Sequence, residues 1–106
     1  MGSRRSKYGN KITEFDGNKY HSKKEANRAA ELKLLEMGGE ITNLKRQAPY
    51  NLEINGVKIT SYIADFTYTD KNGAKVVEDV KGFRTEEYKI KKRLMLAIHG
   101  IEIFET

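Results

Sequence analysis

Apolar positions recur along this chain with two different periods. From Ser22 to Gly39 the residues Ala26, Ala29, Leu32 and Leu35 fall at helical spacing, which predicts one buried helix face. Ser22 followed three residues later by Glu25 has the form of a capping box, and Gly38-Gly39 supply a stop, so the predicted helix spans 22–39. After an irregular lead the period drops to two. A strand at about 46–54 runs into Asn55-Gly56, the dipeptide preferred in two-residue hairpins, and "VKITSYIADFTYT" returns rich in β-branched and aromatic residues. Asp70 to Gly73 marks the next turn and "AKVVEDVKG" a third strand. "TEEYKIKKRLMLAIHG" reads as a second helix with acids at its start, and "IEIFE" as a last strand. Upstream, "TEFDGNKYHS" alternates weakly around Asp16-Gly17-Asn18 and predicts a short hairpin. The order is helix, three strands in a meander, helix, strand. This is an α+β domain, and an antiparallel sheet flanked by two helices is its simplest packing.

Composition narrows the class. A chain of 106 residues forms one domain, expected over 12–106 behind a basic arm, 1–11, that carries Arg4, Arg5, Lys7 and Lys11. The net charge of +5 favours polyanionic partners, with nucleic acid ahead of an anionic membrane surface. The absence of cysteine excludes disulfides, thiol catalysis and thiolate zinc sites, and His21 and His99 are too far apart in sequence to suggest a histidine site. No apolar run approaches the length of a membrane span, and no signal-type segment opens the chain, so an intracellular, cytoplasmic protein is expected.

Asp65, Asp79 and Lys81 interrupt the strand pattern. If Lys71-Asn72-Gly73 is a three-residue hairpin loop, Asp70 pairs with Ala74 and the ladder runs back to Asp65 opposite Asp79. Lys81 then projects from the same face as Asp79, and Glu78 from the other. Like charges opposite one another destabilise a sheet, and a hard divalent cation removes that conflict. Two carboxylates at such a separation suit Mg²⁺ or Mn²⁺, with Glu25 as a third if the first helix crosses this face. A capping box explains Glu25 without a metal, and the two roles are compatible. The lysine would polarise water or stabilise charge on a phosphate.

An acid on an early helix in "SKKEA", then Asp65 in "YIADF", then Asp79 and Lys81 in "VVEDVKG", resembles the PD-(D/E)XK nuclease superfamily. The arrangement is similar to small phage and prophage nucleases and to endonuclease I-like Holliday junction resolvases. The resemblance covers about residues 20–104 and implies an αβββαβ core with a mixed sheet. It implies Glu25, Asp65, Asp79 and the Val80 carbonyl as metal ligands, Lys81 as the catalytic lysine, and Gln47 of "RQAPY" beside the site. It departs at the superfamily's proline, where Ala64 precedes Asp65. The expected function is a Mg²⁺-dependent endodeoxyribonuclease acting on branched DNA, such as a Holliday junction, in phage-type recombination, with Mn²⁺ as substitute metal. The alternative is a catalytically silent nucleic-acid-binding protein of the same fold. Arg84, Lys89, Lys92 and Arg93, with the N-terminal arm, are the expected contacts to DNA backbone and shape. A homodimer is expected where two strands must be cut. Neither a membrane nor an organic cofactor is expected. Phe83 and Tyr88 are able to stack on bases, with core packing as their expected role.

Overall fold

A computed structural model describes residues 13–15 and 18–106. The basic arm with Arg4, Arg5, Lys7 and Lys11 lies outside the described residues. Two short strands, β1 (Thr13–Phe15) and β2 (Asn18–Tyr20), pair antiparallel as the predicted first hairpin. They precede α1, Lys23–Met37.

Ser22 caps α1, its hydroxyl accepting from the Glu25 amide at 3.1 Å. The other half of the capping box is displaced by one residue: the Glu25 carboxylate accepts from the His21 amide at 3.2 Å, one residue ahead of the usual partner. Gly39, at φ 78, reverses the chain beyond the helix end. Ala26, Ala29 and Leu32 are buried as expected, but Leu35 is 37% exposed. With 3.6 residues per turn, it is Glu36 that continues the line of Glu25, Ala29 and Leu32, and its carboxylate accepts from the Leu44 amide at 3.2 Å.

Strands β3 (Thr42–Ile54) and β4 (Val57–Thr69) form a long hairpin closed by Asn55 at φ 52 and Gly56 at φ 80, both left-handed as a type I′ turn requires. β3 begins earlier than the alternation suggests. Asn43 at φ 56 and a register shift between Thr42 and Lys45 break its period there, so the sequence reads as irregular. Pro49 is tolerated because β3 is the edge strand of the order β3-β4-β5-β6.

The next turn has the expected register. The Asp70 amide donates to the Ala74 carbonyl at 2.8 Å, while the Asp70 side chain accepts from the Asn72 and Ala74 amides, both at 2.9 Å. Gly73 takes the left-handed position at φ 84. β5 (Lys75–Asp79) then pairs with β4 from Thr69–Lys75 back to Phe66–Glu78. Thr85 caps α2 (Glu86–Leu94), which continues into a π-helical turn, Met95–His99, and ends at Gly100, φ 67. The crossover through α2 brings β6 (Phe104–Glu105) alongside β5 in the parallel sense. The sheet is therefore mixed, and the simple antiparallel packing holds only for its first three strands. The α-β-β-β-α-β order from α1 onward is the one predicted.

Two cores cover the two faces of the open sheet. Tyr20, Ala26, Ala29, Leu32, Ile41, Phe66 and Tyr68 form the one under α1; Leu52, Tyr62, Ala64, Val77, Tyr88, Met95 and Ile103 form the one under α2. Among the described residues no helix is long and apolar enough to cross a membrane. Glu78 faces the α1 side, fully buried. Arg28 clasps it with Nε at 2.6 Å and a second guanidinium nitrogen at 3.0 Å, and the Tyr68 and Thr106 hydroxyls donate at 2.6 and 3.0 Å. This bidentate pair raises the Arg28 pKa against the opposing effect of burial. Truncating Glu78 leaves the half-buried Arg28 only its contact with the exposed Glu31 at 3.1 Å, and leaves the Tyr68 hydroxyl without its acceptor. Glu78→Ala is expected to lower the unfolding free energy by about 3 kcal/mol, as read from urea denaturation midpoints at constant slope.

Candidate functional site

β4 changes sides at Asp65. In a regular strand Tyr62, Ala64, Phe66 and Tyr68 share one face. Here the first two join the α2-side core and the last two the α1-side core. The switch lies opposite Gln47, which falls between the Arg46–Phe66 and Ala48–Ala64 pairs and has φ 51, a left-handed conformation unusual for a non-glycine residue.

The consequence is a convergence of groups from β4, β5 and the following loop. Asp65 and Asp79 lie close enough to act strongly on one another, one rung beyond the Phe66–Glu78 pair. The Val80 amide donates to Asp65 Oδ2 at 2.8 Å. Asp79, 4% exposed, accepts from the Tyr62 hydroxyl on Oδ2 and pairs through Oδ1 with Lys81 Nζ at 3.3 Å. The same ammonium lies 3.8 Å from the centre of the Tyr88 ring, so a carboxylate and an aromatic face together hold it. These groups line a cleft of about 430 Å³, with Ser61, Ile63, Thr85, Glu87 and Lys91 completing its wall.

Glu25 and Gln47 adjoin this pair. Gln47 Nε2 donates to Glu25 Oε2 at 3.4 Å, while Glu25 Oε1 holds the His21 amide. Glu25 is buried, and its charge acts on Asp65. Among the described residues no three carboxylate or imidazole groups close into one cation-sized cluster. The cation chemistry available is thus that of the aspartate pair. Mg²⁺ takes one or two carboxylates and completes its shell with water and phosphate, and such a donor set fits Asp65 and Asp79.

The expected backbone contacts on α2 and in the loop before it are mostly engaged within the chain. Arg84 grips Glu105 Oε1 with Nε at 3.1 Å and a terminal nitrogen at 2.7 Å; Lys92 reaches Glu105 at 3.2 Å; Lys89 pairs with Glu86 at 3.0 Å. Lys91, in the cleft wall, pairs with Glu87 at 2.8 Å. Arg93 is exposed. Glu105, held down to about 2 by Arg84, Tyr88 and Lys92, organises this edge. Two participants escaped sequence reasoning. Tyr62 was hidden because strict alternation puts it and Asp65 on opposite faces. Glu105 gave no signal beyond an acid in the last strand. Phe83, expected in the core, is exposed instead, while Tyr88 is buried with its hydroxyl on Glu105 Oε2 at 2.6 Å.

A family model described as "Protein of unknown function (DUF1064)" matches residues 5–101. No curated protein and no solved structure matches the chain.

Electrostatics single out Asp65. Burial first, then the hydrogen bond and charge of Asp79, push its carboxyl from 3.8 up to about 8, against a small opposing effect of the Val80 amide. Tyr62 is also pushed up, by burial and by Asp79, so it stays a protonated donor. Because folding raises the Asp65 pKa, the folded chain binds that proton more tightly than the unfolded one. The resulting stability is complete below the ordinary carboxylate value and is lost as pH rises toward about 8. Metal-free protein is therefore expected to melt at progressively lower temperature across that window. Asp65→Asn, whose amide can accept from Val80 and donate to Asp79, should flatten the profile and melt higher than the unsubstituted chain at its alkaline end.

Proposed function

We propose that this chain, which belongs to the DUF1064 family, is a metal-dependent endonuclease that hydrolyses DNA phosphodiester bonds. One observation carries the reading: two adjacent acidic side chains, Asp65 and Asp79, meet in a cleft with a lysine ammonium 3.3 Å from one of them. A purely structural sheet gains nothing from that pairing. The fold is compatible with the αβββαβ nuclease core, and Glu25, Asp65, Asp79 and Lys81 fall in the order of its acids and lysine.

Mg²⁺ or Mn²⁺, held by Asp65 and Asp79 with the Val80 carbonyl as a further ligand and with Glu25 behind this pair, would supply Lewis-acid polarisation of a phosphate oxygen and an acidified water. The protein's own groups do the rest. Tyr62 fixes one oxygen of Asp79, which orients the carboxylate. Lys81, steadied by Asp79 and the Tyr88 face, presents N–H donors to the attacking water and to charge that develops on the phosphate. Gln47 holds Glu25 in the neighbourhood of Asp65. Lys91 and Arg93, with the basic arm, Arg84 ahead of α2, and Lys89 and Lys92 on it, favour approach of the phosphodiester backbone.

Branched DNA is the substrate this reading prefers, in phage-type recombination or processing, and cutting both strands of a junction calls for two copies of the chain. The test compares supercoiled, linear and four-way-junction DNA with Mg²⁺ or with EDTA. Metal-dependent cleavage is expected, and Asp79→Ala and Lys81→Ala are each expected to lower the rate by at least ~100-fold while binding persists. DNA binding without metal-dependent cleavage of any of these substrates would establish the non-catalytic binding protein instead.

A further inference from the structure

Phe83 sits in the loop between β5 and α2 with 87% of its surface open to solvent, the largest fraction of any large apolar side chain among the described residues. The backbone that carries it is pinned on both sides. Ahead of it, the Lys81 amide donates to the Thr106 carbonyl at 3.0 Å and Lys24 Nζ to the Lys81 carbonyl at 2.7 Å. Behind it, Arg84 grips Glu105, and the Thr85 hydroxyl accepts from the Tyr88 amide at 3.1 Å. A ring displayed from such a loop keeps little backbone freedom to lose on binding. Both ends of the loop, Lys81 and Thr85, line the cleft that contains Asp65 and Asp79.

We infer that Phe83 is a stacking platform for an unpaired nucleobase next to the phosphodiester in the cleft. This rests on the endonuclease reading for where the phosphate lies. Residues two apart have Cα atoms at most ~7 Å from one another, so a ring at position 83 reaches a base whose own backbone lies against Lys81. The surroundings favour nucleic acid over an apolar protein partner. Lys81 lies two residues before the ring and Arg84 one after it, each also paired with an acid, the cleft beside it carries Lys81 and Lys91 among Asp65, Asp79 and Glu87, and the chain carries a net charge of +5. Exposed aromatic faces on proteins of net positive charge are how single strands are held, and every base offers a π face, so such contacts need no sequence preference.

The inference names a substrate class. Inside a duplex both faces of a base are covered by its neighbours, and stacking on Phe83 would first have to unstack one of them. At a fork, flap or junction an unpaired base has a face free. Phe83 therefore gives the cleft a reason to prefer branched or single-stranded DNA, which the aspartate pair alone does not.

Fluorescence anisotropy with labelled DNA in EDTA, where nothing is cut, tests this on the 106-residue chain. The probes are a single strand, a forked duplex with unpaired arms and a blunt duplex; the variants are Phe83→Ala, Phe83→Leu and Phe83→Tyr. Ala and Leu are expected to bind the single strand and the fork roughly 5- to 150-fold more weakly while blunt-duplex binding holds, and Tyr is expected to bind as the parent does. Because the ring is exposed, the variants should keep the parent melting temperature, so a loss of binding is not a loss of folding. Fork binding unchanged in both Ala and Leu, or an equal loss on all three probes, overturns the inference. Cleavage measured in parallel separates it from the reading it rests on. If no DNA is cut with Mg²⁺ but the selective loss on the fork remains, the endonuclease reading fails and the stacking contact stands. If the parent cuts DNA, Asp79→Ala does not, and Phe83→Ala and Phe83→Leu keep parental affinity for the fork, the stacking contact alone fails.

Discussion

Asp65 and Asp79 are held together by the register of one hairpin, and little else in the molecule makes sense without it. Gly73 at φ 84 and the Asp70 side chain bonded to the Asn72 and Ala74 amides set the loop, and the ladder then leads to the rung where the two acids meet. A slip by one residue would exchange Glu78 for Asp79 in the cleft and turn the other acid toward α1. Neither place tolerates the exchange. On one side Arg28, Tyr68 and Thr106 are built around the longer carboxylate, and on the other Tyr62 and Lys81 around the shorter.

The two neighbouring acids of β5 are treated unequally. Glu78 has a bidentate arginine and two hydroxyl donors, which is the full complement a buried carboxylate needs. On the opposite face two aspartates are served by a single lysine, a hydroxyl and one backbone amide. The β5 strand is thus locked by the first acid, and the pair containing the second is left short of positive charge. Local violation of the rules for a stable sheet, in a protein that obeys them one residue away, is the physical signature of a functional site. Overall charge says less. The α2 cations that the sequence offers for backbone contact are largely answered by Glu86, Glu87 and Glu105, so the site's own imbalance is more telling than the sum of +5.

Much of this could be read from local chemistry. Asn55-Gly56 specified its turn because few residues accept positive φ at both positions, and Ser22 specified the start of α1 because its hydroxyl meets an otherwise unpaired amide. The juxtaposition of residues 65 and 79 followed from loop length alone. What stayed hidden depended on tertiary context. Alternation cannot foretell that β4 changes sides at Asp65, because the break in its period coincides with the left-handed Gln47 on a neighbouring strand. The parallel sense of β6 depends on the path of α2 across the sheet. Leu35 and Phe83 are apolar residues whose exposure reflects the absence of an opposing surface among the described residues, which no residue-by-residue pattern encodes.

The pairing of Asp65 with Asp79 as a seat for a hard cation is tested most directly by calorimetric titration of Mn²⁺ into the metal-free chain, at a pH above the Asp65 value of about 8. Saturable binding is predicted, with protons released when the titration is repeated at lower pH, because a carboxyl that holds its proton must give it up to become a ligand. Asp65→Asn and Asp79→Asn should each abolish that binding, whereas Glu86→Gln, at an exposed carboxylate on α2, should leave it intact. Binding of equal strength in a chain carrying both Asn substitutions would contradict the account.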